Sequence, residues 1–209
     1  MPEPVELYFL PPSHYCVSVD RMLAFKGIPA KKVYAPYHDR QELLQRTGQD
    51  YVPTLIWDGK PVTWSEIPAF LDRVRPDPPL LPPGQEGLAL AIENWGHQVL
   101  EERVWRAVVT QIPPHLRSDP ERWVFEEMQT RARGPWHVLK SRRPEFVRDL
   151  QEYFGLVNRM VAGREWILGA PSLADFGVYG GLSPWLLVGE KLPKEHVALR
   201  RWVGRVQRL

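Results

Sequence analysis

Residues 5–16 read VELYFLPPSHYC, and this stretch carries the pattern that decides the fold. Its first half is apolar and typical of a buried strand, and a helical pattern begins at His14. A side chain at such a strand-to-helix junction faces free backbone N–H groups and the positive end of the helix dipole. Ser13 and Cys16 therefore lie where a bound thiolate or carboxylate is favoured.

The first 75 residues alternate strand patterns with helical patterns, which indicates strands joined by crossover helices. Asp58-Gly59 lies between two strand patterns and is the strongest short signal for a hairpin. We predict strands at 5–10, 32–35, 52–57 and 60–63, and helices at 14–26, near 41–45 and at 65–75. The order βαβαββα is that of a thioredoxin-like domain.

The segment 76–84 is rich in proline and cannot continue a helix, because proline lacks the backbone N–H. The residues after it have helical patterns without strands of comparable quality. We predict helices at 86–111, 119–140 with a break at Gly134-Pro135, 144–163, 172–188 and 194–207. The predicted organisation is an α/β domain at 1–75, a linker at 76–85 and an all-α domain at 86–209.

Composition argues for a compact chain rather than a nucleic-acid or membrane binder. The 209 residues are 44% hydrophobic and 25% charged, with a formal net charge of only +2. The single cysteine excludes an intrachain disulfide and a multi-cysteine zinc site, and the six histidines lack ligand spacing, so we expect no metal. No export signal is recognised at the start, and the expected location is cytoplasmic.

Ser13 and Cys16 are followed along the chain by Lys26-Gly27-Ile28 and by Val52-Pro53. In this spacing the chain resembles the thiol site of the glutathione S-transferase family. Residues 169–176, GAPSLADF, resemble its helix-capping segment, so the resemblance covers nearly the whole chain. It implies a thioredoxin-like domain followed by a helical bundle, and a homodimer. It also implies glutathione, or another low-molecular-weight thiol, as co-substrate with an apolar electrophile.

Ser13 is the residue that the resemblance assigns to catalysis, as a hydroxyl that donates a hydrogen bond to a bound thiolate. Ser is also among the best N-cap residues on stability grounds alone. The resemblance assigns His14, Tyr15 and Cys16 to substrate binding, although His14 stands where the family has proline. Cys16 shares a helical face with core residues, so a structural thiol and a reactive thiol are equally compatible with the pattern.

Val52 and Pro53 begin a predicted buried strand, where proline is accepted only at the first positions. In proteins that resemble this one, the corresponding Val-Pro bond is cis and the preceding residue's backbone pairs with the cysteinyl part of glutathione. Carried over, that role falls to Val52. The resemblance therefore predicts a cis bond here.

Trp64, Ser65 and Glu66 occupy the place of the family's Glu-Ser pair, which binds the γ-glutamyl group. Ser65 and Glu66 supply the same polar groups in reversed order. Alternatively, Trp64 fills the pocket and glutathione binds poorly.

Three functional hypotheses follow. The first is a transferase that conjugates a small thiol to an apolar electrophile through a thiolate stabilised by Ser13. The second is a non-catalytic binding or scaffold protein with the same fold, favoured by His14 and by the absent Glu-Ser pair. The third is a thiol transferase that uses Cys16 itself.

Overall fold

A four-stranded mixed sheet forms the first half of the molecule in the computed structural model, which describes residues 4–209. β1 pairs with β2 in parallel and with β3 in antiparallel, and β4 closes a hairpin on β3. The turn residues Asp58 and Gly59 have positive φ angles, 47° and 72°, as the hairpin signal predicts. The strands are Glu6–Phe9, Lys31–Tyr34, Thr54–Trp57 and Lys60–Thr63, in the order β2-β1-β3-β4.

Three helices accompany the sheet and confirm the predicted βαβαββα order. They are α1 (His14–Phe25), α2 (Gln41–Thr47) and α3 (Ile67–Val74). α1 ends where predicted, just before Gly27, which has a φ of +61°. The prediction that α3 begins near Ser65 was wrong: the helix begins at Ile67, because residues 64–66 form a turn, and Pro68 lies within its first turn.

The second half is helical, and no strand follows Thr63 in the residues that the structure describes. The first of its helices is interrupted at Gly96–Leu100 by a π-helical turn. Short 3-10 turns follow at Val109–Gln111 and Pro113–His115. The helices are α4 (Glu86–Trp95), α5 (Glu101–Val108), α6 (Asp119–Arg133), α7 (Trp136–Met160), α8 (Leu173–Leu187) and α9 (Val197–Gln207).

α7 corrects one helix prediction. Gly134 separates it from α6 as predicted, but the helix then runs without interruption through Pro144. Proline removes one backbone hydrogen bond from a helix interior. Leu139 and Leu150 are buried on either side of it, and Arg143 Nε donates to the Ala107 carbonyl at 3.0 Å. This packing extends across the proline, and we attribute the continuity of the helix to it.

Lys26, which directly follows α1, holds the proline-rich segment in place through hydrogen bonds and an ion pair. Its side chain is fully buried, and Nζ donates to the carbonyl oxygens of Arg75 and Pro78, both at 2.6 Å. It also forms an ion pair with Asp72, whose carboxylate accepts the backbone N–H of Leu80 at 2.8 Å. These contacts fix the segment against the α/β domain, and we keep residues 76–85 as the proposed boundary.

Glu121 joins the two halves from the helical side. Its carboxylate is buried and accepts the Tyr34 hydroxyl at 2.8 Å and the Tyr37 backbone N–H at 3.1 Å. The Arg117 guanidinium lies 3.7 Å from the centre of the Tyr34 ring. A carboxylate with this many donors is stable without water, so Glu121 holds β2 and its following loop on α6.

α8 is the central helix of the second half and is almost wholly buried. At its start, the Asp175 carboxylate accepts the Ser172 backbone N–H at 3.1 Å and the Trp202 indole N–H at 2.8 Å. Ser172 and Asp175 thus cap and anchor the helix, which agrees with the resemblance of residues 169–176 to a helix-capping segment. None of the helices in residues 4–209 is long and apolar enough to cross a membrane.

Candidate functional site

Ser13 is the N-cap of α1. Its hydroxyl oxygen accepts the Cys16 backbone N–H at 3.3 Å, and its own N–H donates to the Leu10 carbonyl at 2.9 Å. The hydroxyl uses only its oxygen in the cap, so its hydrogen remains available to a second partner. The side chain is half-buried. Ser13 therefore lies at a helix terminus and has a hydroxyl hydrogen that is available to a ligand.

The sheet register places the Val52–Pro53 segment beside this junction. Tyr8, next to the last residue of β1, lies opposite Thr54, the first residue of β3. The chain leaving β1 toward Ser13 and the chain entering β3 therefore meet at the same end of the sheet. The Val52–Pro53 bond is cis, as the resemblance predicts.

The end of β4 reaches the same place, because Thr63 lies opposite Thr54. Ser65 and Glu66 are exposed there. The Glu66 carboxylate is engaged locally: it accepts the Thr63 hydroxyl at 2.8 Å and the Thr63 backbone N–H at 3.3 Å. Trp64 is half-buried beside them. Ser65 and Glu66 thus border the site, and the Glu66 carboxylate is already hydrogen-bonded to Thr63.

Cys16 lies in the core beneath the junction. Its side chain is fully buried, and the thiol is 4.0 Å from the Tyr8 carbonyl oxygen. Burial raises the pKa of this thiol to about 11. At neutral pH the group is a protonated, enclosed thiol. This geometry weighs against Cys16 as a nucleophile or as a direct substrate contact.

Four aromatic rings meet where the two halves join, and we call them the interface rings: His14, Tyr15, Trp64 and His97. The Tyr15 ring lies 4.1 Å from His14, 4.3 Å from Trp64 and 4.3 Å from His97, centre to centre. Its hydroxyl accepts from Gln98 Nε2 at 2.8 Å. Burial raises the pKa of Tyr15, and nearby carboxylates add to the rise. The phenol therefore stays neutral.

His14 turns toward the helical half. Its Nδ1 lies 3.3 Å from a carboxylate oxygen of Glu101, at the start of α5. Its Nε2 is buried and has no hydrogen-bond partner among the described residues. The residue that replaces the family's proline thus forms a contact between the two halves.

His97 forms a second buried imidazole–carboxylate contact. Its Nε2 lies 3.3 Å from Glu93 Oε1 and 3.3 Å from the Ser18 hydroxyl oxygen. The Ser18 hydroxyl donates its hydrogen to the Phe176 carbonyl at 2.7 Å, so Nε2 must carry the hydrogen that it shares with Ser18. Burial lowers the pKa of His97 to about 2 and raises that of Glu93 to about 7. His97 is therefore a neutral donor.

The comparisons with known proteins agree with this architecture. Residues 7–67 match the family model described as the glutathione S-transferase N-terminal domain. The chain has the glutathione S-transferase fold. The matched residues contain Ser13, the Val52–Pro53 bond and Trp64, so the family's N-terminal domain carries the junction described above.

Solved structures with this fold cover nearly the whole chain. Glutaredoxin 2 of Salmonella typhimurium, in complex with glutathione, has a TM-score of 0.82 at 17% identity over 99% of this chain and 94% of its own. A glutathione S-transferase of Rhodospirillum rubrum has a TM-score of 0.76 at 20% identity, over 97% of this chain and 87% of its own. A glutathione S-transferase of Ceriporiopsis subvermispora, in complex with glutathione, has a TM-score of 0.73 at 20% identity, over 99% of this chain and 94% of its own. No curated protein matches by sequence.

Arg40 is a partly buried charged residue that the sequence reasoning missed. It precedes α2, and its Nη1 is buried without a hydrogen-bond partner among the described residues. Burial lowers the pKa of Arg40, and its positive charge is one of the smaller influences that lower the pKa of Cys16. A buried, unsatisfied guanidinium N–H favours an anionic partner. No local sequence signal marks it.

The helical half contributes residues that were also missed, above all His97 with Glu93. Their only sequence signal is the i, i+4 spacing on one helix. No group of three or more potential metal ligands is found within residues 4–209.

Proposed function

We propose that this chain is a glutathione S-transferase-like enzyme, which conjugates glutathione to an apolar electrophile through a thiolate stabilised by Ser13. The observation that carries the proposal is the Ser13 hydroxyl: it caps α1 with its oxygen, keeps its hydrogen free, and lies at the sheet end where Val52–Pro53 enters β3. The matching family model spans these residues.

The energetics of thiolate stabilisation are within reach of this junction. Lowering the pKa of a thiol by about two units requires roughly 2.7 kcal/mol. A hydrogen bond to a charged group supplies about 1.5–3 kcal/mol, and a helix N-terminus adds up to about 1 kcal/mol. The thiol loses its proton to solvent, the sulfur forms a bond to the electrophilic carbon, and the leaving group departs with its bonding pair.

Two further groups are assigned to thiol binding in this proposal. The Val52 backbone pairs with the cysteinyl part of glutathione. Arg40 receives a carboxylate of the same molecule, because its buried Nη1 otherwise lacks a partner among the described residues. His14, Tyr15 and Trp64 form the wall of the site toward the helical half, and Ser65 and Glu66 its outer border.

The cellular setting belongs to the proposal as well. We place the protein in the cytoplasm as a homodimer, since this is what the family resemblance implies. Another low-molecular-weight thiol replaces glutathione in the proposal if glutathione fails to bind. No nucleic acid or membrane is required by this chemistry.

Calorimetry with glutathione, followed by turnover of chlorodinitrobenzene, tests the proposal. We expect glutathione to bind the wild type and to bind Arg40→Gln at least about tenfold more weakly, as expected when a charged hydrogen bond is lost. Arg148→Gln, an exposed arginine of α7, is the matched control and leaves binding unchanged. Wild-type protein that neither binds nor turns over any of several thiols contradicts the proposal.

A non-catalytic binding protein is the second candidate, and one observation favours it. The Trp64 ring lies at a tilt against Tyr15, where the resemblance places the family's Glu-Ser pair, and the Glu66 carboxylate is hydrogen-bonded to Thr63. A filled γ-glutamyl subsite predicts weak glutathione binding that Trp64→Ala strengthens. The enzyme proposal predicts that Trp64→Ala weakens it. The third hypothesis, a Cys16 thiol transferase, is disfavoured by the burial of the thiol.

A further inference from the structure

Three arginines line one cavity at the C-terminal end of the molecule, on elements that contribute none of the thiol-site residues. Arg164 lies in the loop after α7, and Arg201 and Arg205 lie one turn apart on α9. The cavity has a volume of about 280 Å³. Val161 and Ala198 form part of its apolar lining. We call it the arginine cavity.

The guanidinium groups in the arginine cavity are positioned without carboxylate partners. Arg164 Nη1 donates to the Ile167 carbonyl at 3.2 Å, and Arg205 Nε donates to the Glu165 carbonyl at 3.1 Å. None of the three arginines has an ion pair with a carboxylate in the described part of the chain. Backbone carbonyls thus hold two of these cations while most of their N–H donors remain free.

Several other arginines of the helical half, though not all, have carboxylate partners. Arg122, Arg131 and Arg142 each pair with an acidic side chain three or four residues away on the same helix. Such pairs are the usual arrangement on a solvated helix face. The arginine cavity departs from that arrangement, so its positive charge is not neutralised in the same way.

The charge of the cavity specifies its ligand. Its lining carries three arginines and one acid, Glu165, which leaves two uncompensated positive charges. A dianion matches this balance, and guanidinium groups bind phosphate and carboxylate oxygens in a bidentate manner. The volume is just below the range of about 300–1,000 Å³ that is typical of ligand pockets, so the ligand must be small. A phosphate monoester or a short dicarboxylate fits these limits.

We infer that the arginine cavity is a binding site for a small organic dianion, separate from the thiol site. Arg201 and Arg205 supply the charged donors from α9, and Arg164 closes the site from the loop. The short apolar lining accommodates the carbon skeleton of the ligand. Phosphate monoesters and short dicarboxylates share this chemistry, and the experiment distinguishes them by using one probe of each kind.

Isothermal titration with phenyl phosphate, succinate and the monoanion acetate tests the inference on the whole chain. We expect at least one dianion to bind more tightly than acetate, and the tighter dianion identifies the source. Arg201→Gln should weaken that binding about tenfold or more, as for a lost charged hydrogen bond. Arg200→Gln is the matched control, because it removes the same charge from the neighbouring residue outside the cavity. It should change binding little.

Glu165→Gln provides a test in which tighter binding is expected, a result that misfolding could not produce. Removing the one negative charge from the lining should strengthen dianion binding. Equal weakening by Arg200→Gln and Arg201→Gln would show a diffuse basic surface and overturn the inference. Failure of both dianions to bind the folded wild type would overturn it as well. Glutathione binding, measured in the same samples, reports on the thiol site independently.

Discussion

The Ser13 hydroxyl oxygen accepts the backbone N–H of Cys16 at 3.3 Å, so the residue proposed to bind the thiolate is also the cap of α1. The relationship assigns opposite roles to the two residues. Ser13 is half-buried with a free hydroxyl hydrogen, whereas Cys16 is enclosed in the core. Substitutions at the two positions therefore separate chemistry from folding.

Cys16→Ala should leave the conjugation rate per folded molecule unchanged, because the thiol is fully buried and its pKa is raised to about 11. The lost packing should lower the free energy of unfolding by about 1 kcal/mol. Rates are compared after the folded fraction is measured by urea unfolding. Abolished turnover in a fully folded Cys16→Ala would reassign the reaction to a cysteine nucleophile.

Ser13→Ala and Ser13→Gly form a matched pair that isolates the cap. Replacing an N-cap Ser by Ala lowers the free energy of unfolding by about 1 kcal/mol, whereas replacing it by Gly lowers it by only a few tenths. Both remove the hydroxyl. We expect the two variants to differ in urea midpoint but to share the same reduced turnover. Turnover that instead followed stability would mean that the cap, and not the hydrogen bond to the thiolate, matters.

Gly177→Ala should destabilise the helical half. An added Cβ would lie 2.6 Å from the Cα of Glu93, so the backbones of α8 and α4 would have to separate. Overpacking of this kind costs about 1–3 kcal/mol or more. Gly87→Ala is the control on α4, where no heavy atom lies within 4 Å, and it should be neutral or gain up to about 1 kcal/mol. Equal urea midpoints for the two variants would refute the close packing.

Glu93→Gln should change how stability depends on pH. Burial raises the folded pKa of Glu93 to about 7, above the unfolded value of about 4.3. The folded state therefore binds the proton more tightly, and this carboxyl group's contribution to stability falls as pH rises between those values. Gln lacks the titration, so the variant should gain on the wild type from about pH 5 to about pH 8.

His97 acts in the opposite direction and contacts Glu93 directly, so the comparison is repeated in a His97→Gln background, which removes the imidazole titration. Its pKa is lowered to about 2, and its contribution is lost as pH falls below the unfolded value of about 6.5. The measurement is urea unfolding of wild type and Glu93→Gln across this range, with exposed Glu152→Gln as control. A difference between Glu93→Gln and wild type that does not vary with pH would contradict the assignment.

Local patterns were sufficient for much of the fold. Strand alternation, the Asp58-Gly59 turn and the stop at Gly27 each depend on neighbouring residues, and the structure confirms them. Pro144 misled the prediction, because burial on either side of a proline is a tertiary effect that local propensity does not contain. The fold class followed from element order alone.

The candidate site was only partly accessible to the same reasoning. Ser13 and Val52 lie on segments with local signals. His97 and Glu93 approach the junction only when α4 packs against α1 and α8, and sequence periodicity does not specify that packing. Arg40 is notable only because its buried N–H lacks a partner among the described residues. Such a property exists only in three dimensions.

The most direct test of the thiolate proposal is the ultraviolet absorbance of enzyme-bound glutathione thiolate, titrated against pH in wild type and Ser13→Gly. Glycine is chosen because it lowers stability at an N-cap by only a few tenths of a kcal/mol. We predict a bound thiol with an apparent pKa about two units below that of free glutathione in the wild type, largely restored to the free value in Ser13→Gly. Identical apparent pKa values in the two folded, glutathione-saturated proteins would contradict the role assigned to Ser13.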